Sequence, residues 1–339
     1  MNLCPSRLRP IFSPRPWGAR SLAPFFPEKS NLAEPIGEAW LTGNDCVFEN
    51  GPFAGETLGA AWPKLPVEWA GTRVERSSDF PLLVKFIFPE EKLSVQVHPP
   101  DEYAAQHERA SGGRGKTEMW YAVRARLGAE VLVGLKPGST REEFERAIAE
   151  GTAEKFLQHI PLSAGDAVFV PAGTLHTIGP GMVLCEIQQQ SDLTYRVYDY
   201  NRKDAQGRPR PLHIEKAMEV INFGEQPKAK ITPVHHEQGP VTETHLASCR
   251  YFTAERWDFV TKIDALSSPE HFELLIFLEG NGGLRWGGQS ADYHSPEVWL
   301  IPARLGAYQI TPALESSGVA ARTSLLRTYV PGDVAEFGR

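Results

Sequence analysis

Cysteine is scarce in this chain. Cys4, Cys46, Cys185 and Cys249 are the four present among 339 residues, and no two of them form a CxxC pair. Neither a disulfide framework nor a thiolate metal site is predicted, and reduced thiols in a cytoplasmic setting are the expectation. Long apolar runs are missing too: the best candidates are interrupted by charges such as Lys85, and none approaches the roughly 18 residues that cross a bilayer. No membrane span is expected. Positive charge is also in deficit. With 35 Lys and Arg against 42 Asp and Glu, the formal net charge is −7, which argues against nucleic acid or an anionic membrane as partner, because both are bound through excess Lys and Arg. An anionic ligand would need a local basic pocket. Arg7, Arg9, Arg15 and Arg20 give the N-terminus the look of a transit peptide, but Pro5, Pro10, Pro14 and Pro16 break the amphipathic helix that reading requires.

What is present is strand pattern. Residues 82–88, 93–97, 118–123, 168–170 and 182–188 are rich in β-branched and aromatic side chains and are bounded by Gly and Pro. An all-β chain of two domains is predicted, since 339 residues with 41% hydrophobic content exceed one ordinary core. One helical interlude is expected at about 138–161. There Thr140 and Glu143 can form a capping box ahead of an apolar stripe of Phe144, Ala147 and Ile148, and a second short turn carries Phe156, Leu157 and Ile160 to a stop at Pro161. A further helix is expected over 213–221, where Ile214, Ala217, Met218 and Ile221 follow helical spacing.

The chain also repeats itself loosely. The run Phe272-Glu273-Leu274 can be laid on Thr117-Glu118-Met119, and Leu300-Ile301-Pro302-Ala303 on Phe169-Val170-Pro171-Ala172. Fifty-three residues separate Glu118 from Pro171 but 29 separate Glu273 from Pro302, and the helical interlude accounts for the difference as a loop insertion would. His176 stands five residues after Pro171, whereas Ala307 stands five after Pro302. Two related β-barrels are predicted, at 1–230 and 231–339, with a metal in the first alone.

That metal is suggested by four residues. Side chains alternate along a strand, so Ser94, Gln96 and His98 share one face while Leu93, Val95 and Val97 share the other. Together with Glu118 and with His176, which follows the Pro171-Ala172-Gly173 turn, they offer two imidazoles, a carboxylate and an amide oxygen, a set suited to zinc or a similar divalent ion. Each has a plainer reading. A lone histidine in a β-protein is more often hydrogen-bonded than metallated, and Glu118 could pair with Lys116 across solvent.

Four motifs sharpen this. Ser94-Val-Gln-Val-His98-Pro, Gly115-Lys-Thr-Glu118-Met-Trp120, Val170-Pro-Ala-Gly-Thr-Leu-His176 and Glu186-Ile-Gln-Gln-Gln-Ser-Asp192-Leu-Thr-Tyr-Arg196 resemble, in order, type I mannose-6-phosphate isomerase in its short bacterial form. The resemblance extends to Trp17-Gly18, to 36–40 and to 212–217, and is thin beyond 222. It implies a cupin fold: a catalytic jelly-roll barrel with a helical insertion, then a second cupin barrel. It implies one zinc ion per chain on Gln96, His98, Glu118 and His176, with Arg196 and Lys116 as catalytic residues and Ser94, Lys85 and Arg202 at positions associated with the sugar phosphate. Two departures, Pro100 where Asp is commoner and Met119 where Cys is frequent, touch no implied ligand.

The implied reaction moves a proton between C1 and C2 of a hexose phosphate through an enediol, so negative charge develops on sugar oxygens. Zinc held by neutral imidazoles, a neutral amide and one carboxylate keeps net positive charge to meet it, and Arg196 can add a fixed cation. The plainer role for Arg196 is an ion pair with Asp192 or Asp199. Lys85 interrupts an apolar strand, so it is expected to face a pocket or a carboxylate, or to point outward from a half-exposed strand. Lys116, Glu186 and Asp192 are the candidate proton-transfer bases. The competing readings are a cupin oxygenase or a different sugar-phosphate isomerase holding iron or manganese, and a non-catalytic sugar-binding or regulatory cupin. A small hexose phosphate is the expected partner, with the chain a monomer or homodimer.

Overall fold

The computed structural model describes residues 2–203, 207–226, 228–314, 318 and 320–332; the end of the second expected domain, 333–339, lies outside them. Four antiparallel sheets of eight, six, five and four strands form the framework of the described residues. Strand and helix bounds fall close to those expected, and three features show why.

The six-stranded sheet is built on Leu82–Ile87, Glu118–Ala125, Ala167–Val170 and Met182–Gln189, flanked by Ile36–Trp40 and Ile11–Ala19. Leu82–Ile87 is buried along its whole length because both faces of this sheet are covered. Alternation sorts its side chains. Val84, Phe86, Met119, Tyr121, Cys185 and Ile187 join one core with Leu274, Leu275, Ile276 and Leu300 of the eight-stranded sheet. Ile87, Trp120, Ala122 and Leu184 point the other way, into a second core with Val131, Val133 and Ile178 of the five-stranded sheet.

The five-stranded sheet comprises Tyr195–Tyr198, Val95–Val97, His176–Ile178, Glu130–Leu135 and Leu157–Pro161. Its outer face, with Val95, Val97, Leu132 and Val197, is roofed by Phe144 and Ile148 from helix Arg141–Ala149 and by Ala217 and Met218 from helix Ile214–Val220. Thr140 and Glu143 form the expected capping box at the start of the first helix. Leu157–Pro161 corrects the expected second turn: after a 3-10 turn over Ala153–Phe156 the chain becomes an edge strand paired with Glu130–Leu135. An open strand edge there offers hydrogen bonds that a lone helical turn cannot match, and Pro161 is tolerated because it ends an edge strand.

The N-terminal segment is strand, not helix. Ile11–Ala19 is the outermost strand of the six-stranded sheet, and its register breaks at Pro14, where an edge position spares the proline a ladder bond. Ser6–Arg9 crosses to the eight-stranded sheet and pairs with Val298, Trp299 and Leu300. The eight- and four-stranded sheets otherwise come from residues after 230, apart from Val47–Phe48 beside Ser6–Arg9. Residues of the first 230 thus complete the sheet of the rest, and one apolar core runs through both.

Candidate metal centre and substrate cavity

The site lies between the six- and five-stranded sheets, where the inward row of each carries polar side chains. Register brings them together. On the five-stranded sheet His176 is directly opposite Gln96; on the six-stranded sheet Lys85, Glu186 and Trp120 stand abreast, and Glu118 opens its strand opposite Val170.

His98, Glu118 and His176 are buried, and one potential ligand atom from each lies within 4.8 Å of the others. The imidazoles are aimed by their outer nitrogens. His98 Nδ1 donates to the Leu193 carbonyl at 2.7 Å and His176 Nδ1 to the Thr174 carbonyl at 2.9 Å, which leaves both Nε2 lone pairs directed inward. Those lone pairs meet Glu118 oxygens at 3.5 Å and 3.4 Å. Acceptor faces acceptor, an arrangement that calls for a cation between them. Burial, reinforced at His98 by Lys116, depresses the His98 pKa against the pull of Glu118, and burial pushes His176 down to about 3, so both rings are neutral ligands at neutral pH. Burial alone would raise Glu118, but the adjacent Lys116 ammonium outweighs it and holds the carboxylate well below its usual range.

Neither Glu118 oxygen accepts a hydrogen bond of good geometry. The Lys116 ammonium does sit 2.5 Å from Oε2 and 3.1 Å from His98 Nε2, a close charge contact in a poor hydrogen-bonding direction. A buried carboxylate facing two imidazole nitrogens is a set of ligand atoms that suits a metal ion. Gln96 borders the group: its Nε2 is 3.1 Å from His176 Nε2, and its Oε1 accepts from Ser94 Oγ at 3.2 Å. Half a turn of the amide brings the oxygen to the histidine side.

Next to this group opens a cavity of about 260 Å³ whose wall includes Ser94, Gln96, Lys116 and Arg196. Five cationic side chains line it, Arg15, Lys85, Lys116, Arg196 and Arg210, against Glu38, Glu186 and Asp192. The excess of two positive charges makes it the local basic pocket that an acidic chain needs for an anion. A larger groove of about 570 Å³ lies elsewhere, beside Phe25, Arg124 and Met182, and none of the three clustered ligand-type residues reaches it.

Lys85 is enclosed. Its ammonium is 3.5 Å from both Glu186 and Asp192 and 5.0 Å from the Trp40 ring; burial alone would lower its pKa, but Glu38, Glu186 and Asp192 outweigh that and raise it. Of the two sequence readings, the carboxylate-facing one holds and the outward-facing one does not. Glu186 also accepts from Trp120 Nε1 at 3.0 Å and lies 3.8 Å from Lys116; burial raises its pKa against the two lysines.

No carboxylate among the described residues forms an ion pair with Arg196. Among the described residues Asp192 pairs with Lys85 and Arg15, and Asp199 with Arg202 and Arg210. Arg196 donates from one terminal nitrogen to the Pro211 carbonyl at 3.1 Å, and its buried Nε has no hydrogen-bond partner among the described residues. Burial and the neighbouring Arg210 lower its pKa, with Asp199 opposing. Arg202 is turned away from the cavity, donating to Asp199 at 2.5 Å and to the Lys92 carbonyl at 2.6 Å. In its place stands Arg210, gripped in a two-pronged bond by Asp199. Arg15, Glu38 and Arg210 are the charged cavity residues that sequence reasoning missed. Glu38 sits within the 36–40 likeness, and Arg15 and Arg210 each lie two residues before one, at Trp17-Gly18 and at 212–217, a usable signal.

No family model matches the chain. Mannose-6-phosphate isomerase ManA of Bacillus subtilis (strain 168) is 35% identical to it over 315 residues, covering 91% of this chain and 96% of that protein. The chain belongs to the mannose-6-phosphate isomerase family. A crystal structure of the mannose 6-phosphate isomerase from Bacillus subtilis superposes with a TM-score of 0.85 at 30% identity, over 96% of this chain and 99% of that one. A zinc-bound mannose 6-phosphate isomerase shares the fold at a TM-score of 0.75 and 16% identity, over 96% of this chain and 99% of that one.

Proposed function

We propose that this chain is a zinc-dependent isomerase that interconverts mannose 6-phosphate and fructose 6-phosphate. The observation that carries the reading is the pair of inward Nε2 lone pairs facing a buried carboxylate, beside a cavity of net positive charge. Family membership supplies the reaction, and the zinc-bound relative supplies the metal.

His98, Glu118, His176 and the amide oxygen of Gln96 would hold one zinc ion. Bound there, zinc supplies a Lewis acid that polarises the sugar carbonyl and its enediol oxygens. The remaining work falls to side chains of the cavity. Arg196, with a buried unpartnered N–H, is a preorganised donor for the charge that develops in the transition state. Lys116, between Glu118 and Glu186, contacts substrate and is one of three proton carriers in reach of the cavity, with Glu186 and Asp192. Ser94 lies on the cavity wall as a hydroxyl for the sugar. Arg210 and Arg15, which line the cavity, are better placed than Arg202 to present positive charge to the phosphate. Lys85 acts indirectly, by holding Glu186 and Asp192.

We also read the two halves as a duplicated cupin barrel. The strand order Ala167–Val170, Glu118–Ala125, Met182–Gln189, Leu82–Ile87 is matched by Glu297–Ile301, Glu273–Glu279, Thr323–Tyr329, Thr253–Phe259. Glu118 is opposite Val170, just before Pro171; Glu273 is opposite Ile301, just before Pro302. The Lys85–Glu186 pair corresponds to Glu255–Arg327 with the charges exchanged. In the second half the Arg327 guanidinium is 2.5 Å from Glu273, and Tyr308 donates to the same carboxylate at 3.1 Å. The second half carries Ala307 where His176 would stand, and among the described residues the one cluster of metal-ligand type is His98, Glu118 and His176, which is the reason for assigning the metal to the first barrel alone.

His176→Ala tests the reading. Zinc content, measured by elemental analysis, is expected to fall from one ion per chain to near none, and turnover of both hexose phosphates with it, while the circular dichroism spectrum persists. Full zinc occupancy in the variant would remove His176 from the ligand set. Zinc-loaded protein without turnover would favour the non-catalytic cupin.

A further inference from the structure

The half of the chain without the proposed metal reaches the active site through one carboxylate. Asp101 opens the short helix Asp101–His107, directly after the Pro99-Pro100 step. Its Oδ2 accepts from Tyr251 Oη at 2.6 Å and from the Arg250 guanidinium, both in the turn between Val241–Ser248 and Thr253–Phe259. Its Oδ1 accepts the Gly115 N–H at 2.8 Å and Gln189 Nε2 at 3.0 Å. Gln189 in turn accepts the Thr117 N–H at 2.8 Å, and the Lys116 N–H donates to the Pro99 carbonyl at 3.2 Å. Three successive amides, those of Gly115, Lys116 and Thr117, are therefore fixed, and two of the three bonds run through Asp101. The packing is tight enough that a Cβ at Gly115 would fall 2.6 Å from the Asp101 nitrogen.

We propose that Arg250 and Tyr251 are positioning residues for Lys116, so that the C-terminal half takes part in the reaction by setting where this side chain stands. A lysine has a long, flexible stem, and its ammonium can be held 2.5 Å from Glu118 and 3.1 Å from His98 only if its backbone is held first. The two donors orient Asp101, and Asp101 with Gln189 clamps the backbone on both sides of the lysine. The inference rests on the proposed role of Lys116 in the isomerase.

The experiment uses full-length, zinc-loaded protein carrying Tyr251→Phe, Arg250→Ala, both together, and the conservative Arg250→Lys. Two readouts are needed. Amide hydrogen exchange at 115–117 reports the clamp without reference to activity, and steady-state kinetics with mannose 6-phosphate report its consequence. In the double variant exchange at Gly115 and Thr117 is expected to rise about tenfold or more. Displacement of a reacting group by about 1 Å can cost on the order of 10²-fold, so kcat should fall roughly ten- to a hundredfold, with KM, zinc content and melting temperature close to those of the unmodified chain. Arg250→Lys should recover most of both changes. Unaltered exchange overturns the clamp, and raised exchange with undiminished kcat overturns the positioning role. If the unmodified protein turns over neither hexose phosphate, the isomerase reading fails and the positioning role with it, while raised exchange would still establish the clamp.

Discussion

Arg196→Ala separates catalysis from structure, because the two readings of this residue predict opposite signatures. On the structural side the arginine has little to lose. Among the described residues its side chain makes one hydrogen bond, 3.1 Å to the Pro211 carbonyl, worth about 0.5–1.5 kcal/mol net. Its charge is already disfavoured by burial and by Arg210, Arg202 and Arg15, so truncation relieves repulsion that offsets part of that loss. At roughly 2–4 °C per kcal/mol for a chain of about 150–250 residues, the melting temperature should drop by no more than about 6 °C. On the catalytic side, loss of a preorganised donor to developing negative charge costs about 2.7–4 kcal/mol in the barrier, or 10²–10³ in kcat. The assay is steady-state isomerisation of mannose 6-phosphate, read beside zinc content and a calorimetric melt on the same preparation. Arg196→Lys, which keeps the charge but loses the planar fork, should fall between the two. A kcat within about threefold of the unmodified chain, combined with a melt lowered by 10 °C or more, would refute the reasoning and return Arg196 to a structural role.

Two further outcomes are expected. Arg327→Met leaves Glu255 and Glu273 buried without their shared cation, which should cost about 3–5 kcal/mol in urea unfolding; adding Glu273→Gln should recover part of it, with zinc content unchanged in both, and a loss below about 1 kcal/mol would contradict the pairing. Asp199 carries a pH dependence. Burial alone would raise its pKa, but hydrogen bonds from Arg210 and Arg202 outweigh that and hold it below the ordinary value. A carboxylate lowered on folding contributes stability that is complete above its unfolded pKa of about 3.9 and is lost as pH falls through the folded value. The melting gap between the unmodified chain and Asp199→Asn should thus be steady from pH 7 to 5 and close below about pH 4, and a gap that ignores pH would sink the assignment.

The reach of sequence reasoning can be judged residue by residue. Gln96 and His98 were legible because alternation is a local rule: Val95 and Val97 had to face a core, so their neighbours faced inward to the site. The capping box at Thr140 was legible for the same reason, its partners being three residues apart. Leu157–Pro161 was misread because a short apolar segment fits a turn or a strand equally well, and the open edge of Glu130–Leu135 decided between them. Lys85 was half legible. Its break in an apolar run announced a partner, but Glu186 is about a hundred residues away and arrives by strand pairing.

By itself, then, the order of residues determined the strands, their inward and outward faces, the ligand types and the family, because each follows from short-range periodicity or from motifs that survive as strings. Only the folded chain decided which cations converge. Arg202 is drawn off by Asp199 and the Lys92 carbonyl while Arg210 and Arg15 line the cavity, and Arg250 and Tyr251 meet Asp101 from about 150 residues away. Long flexible side chains go where a carboxylate or carbonyl is within reach, and that is set by how sheets pack, a distance that no spacing along the chain encodes.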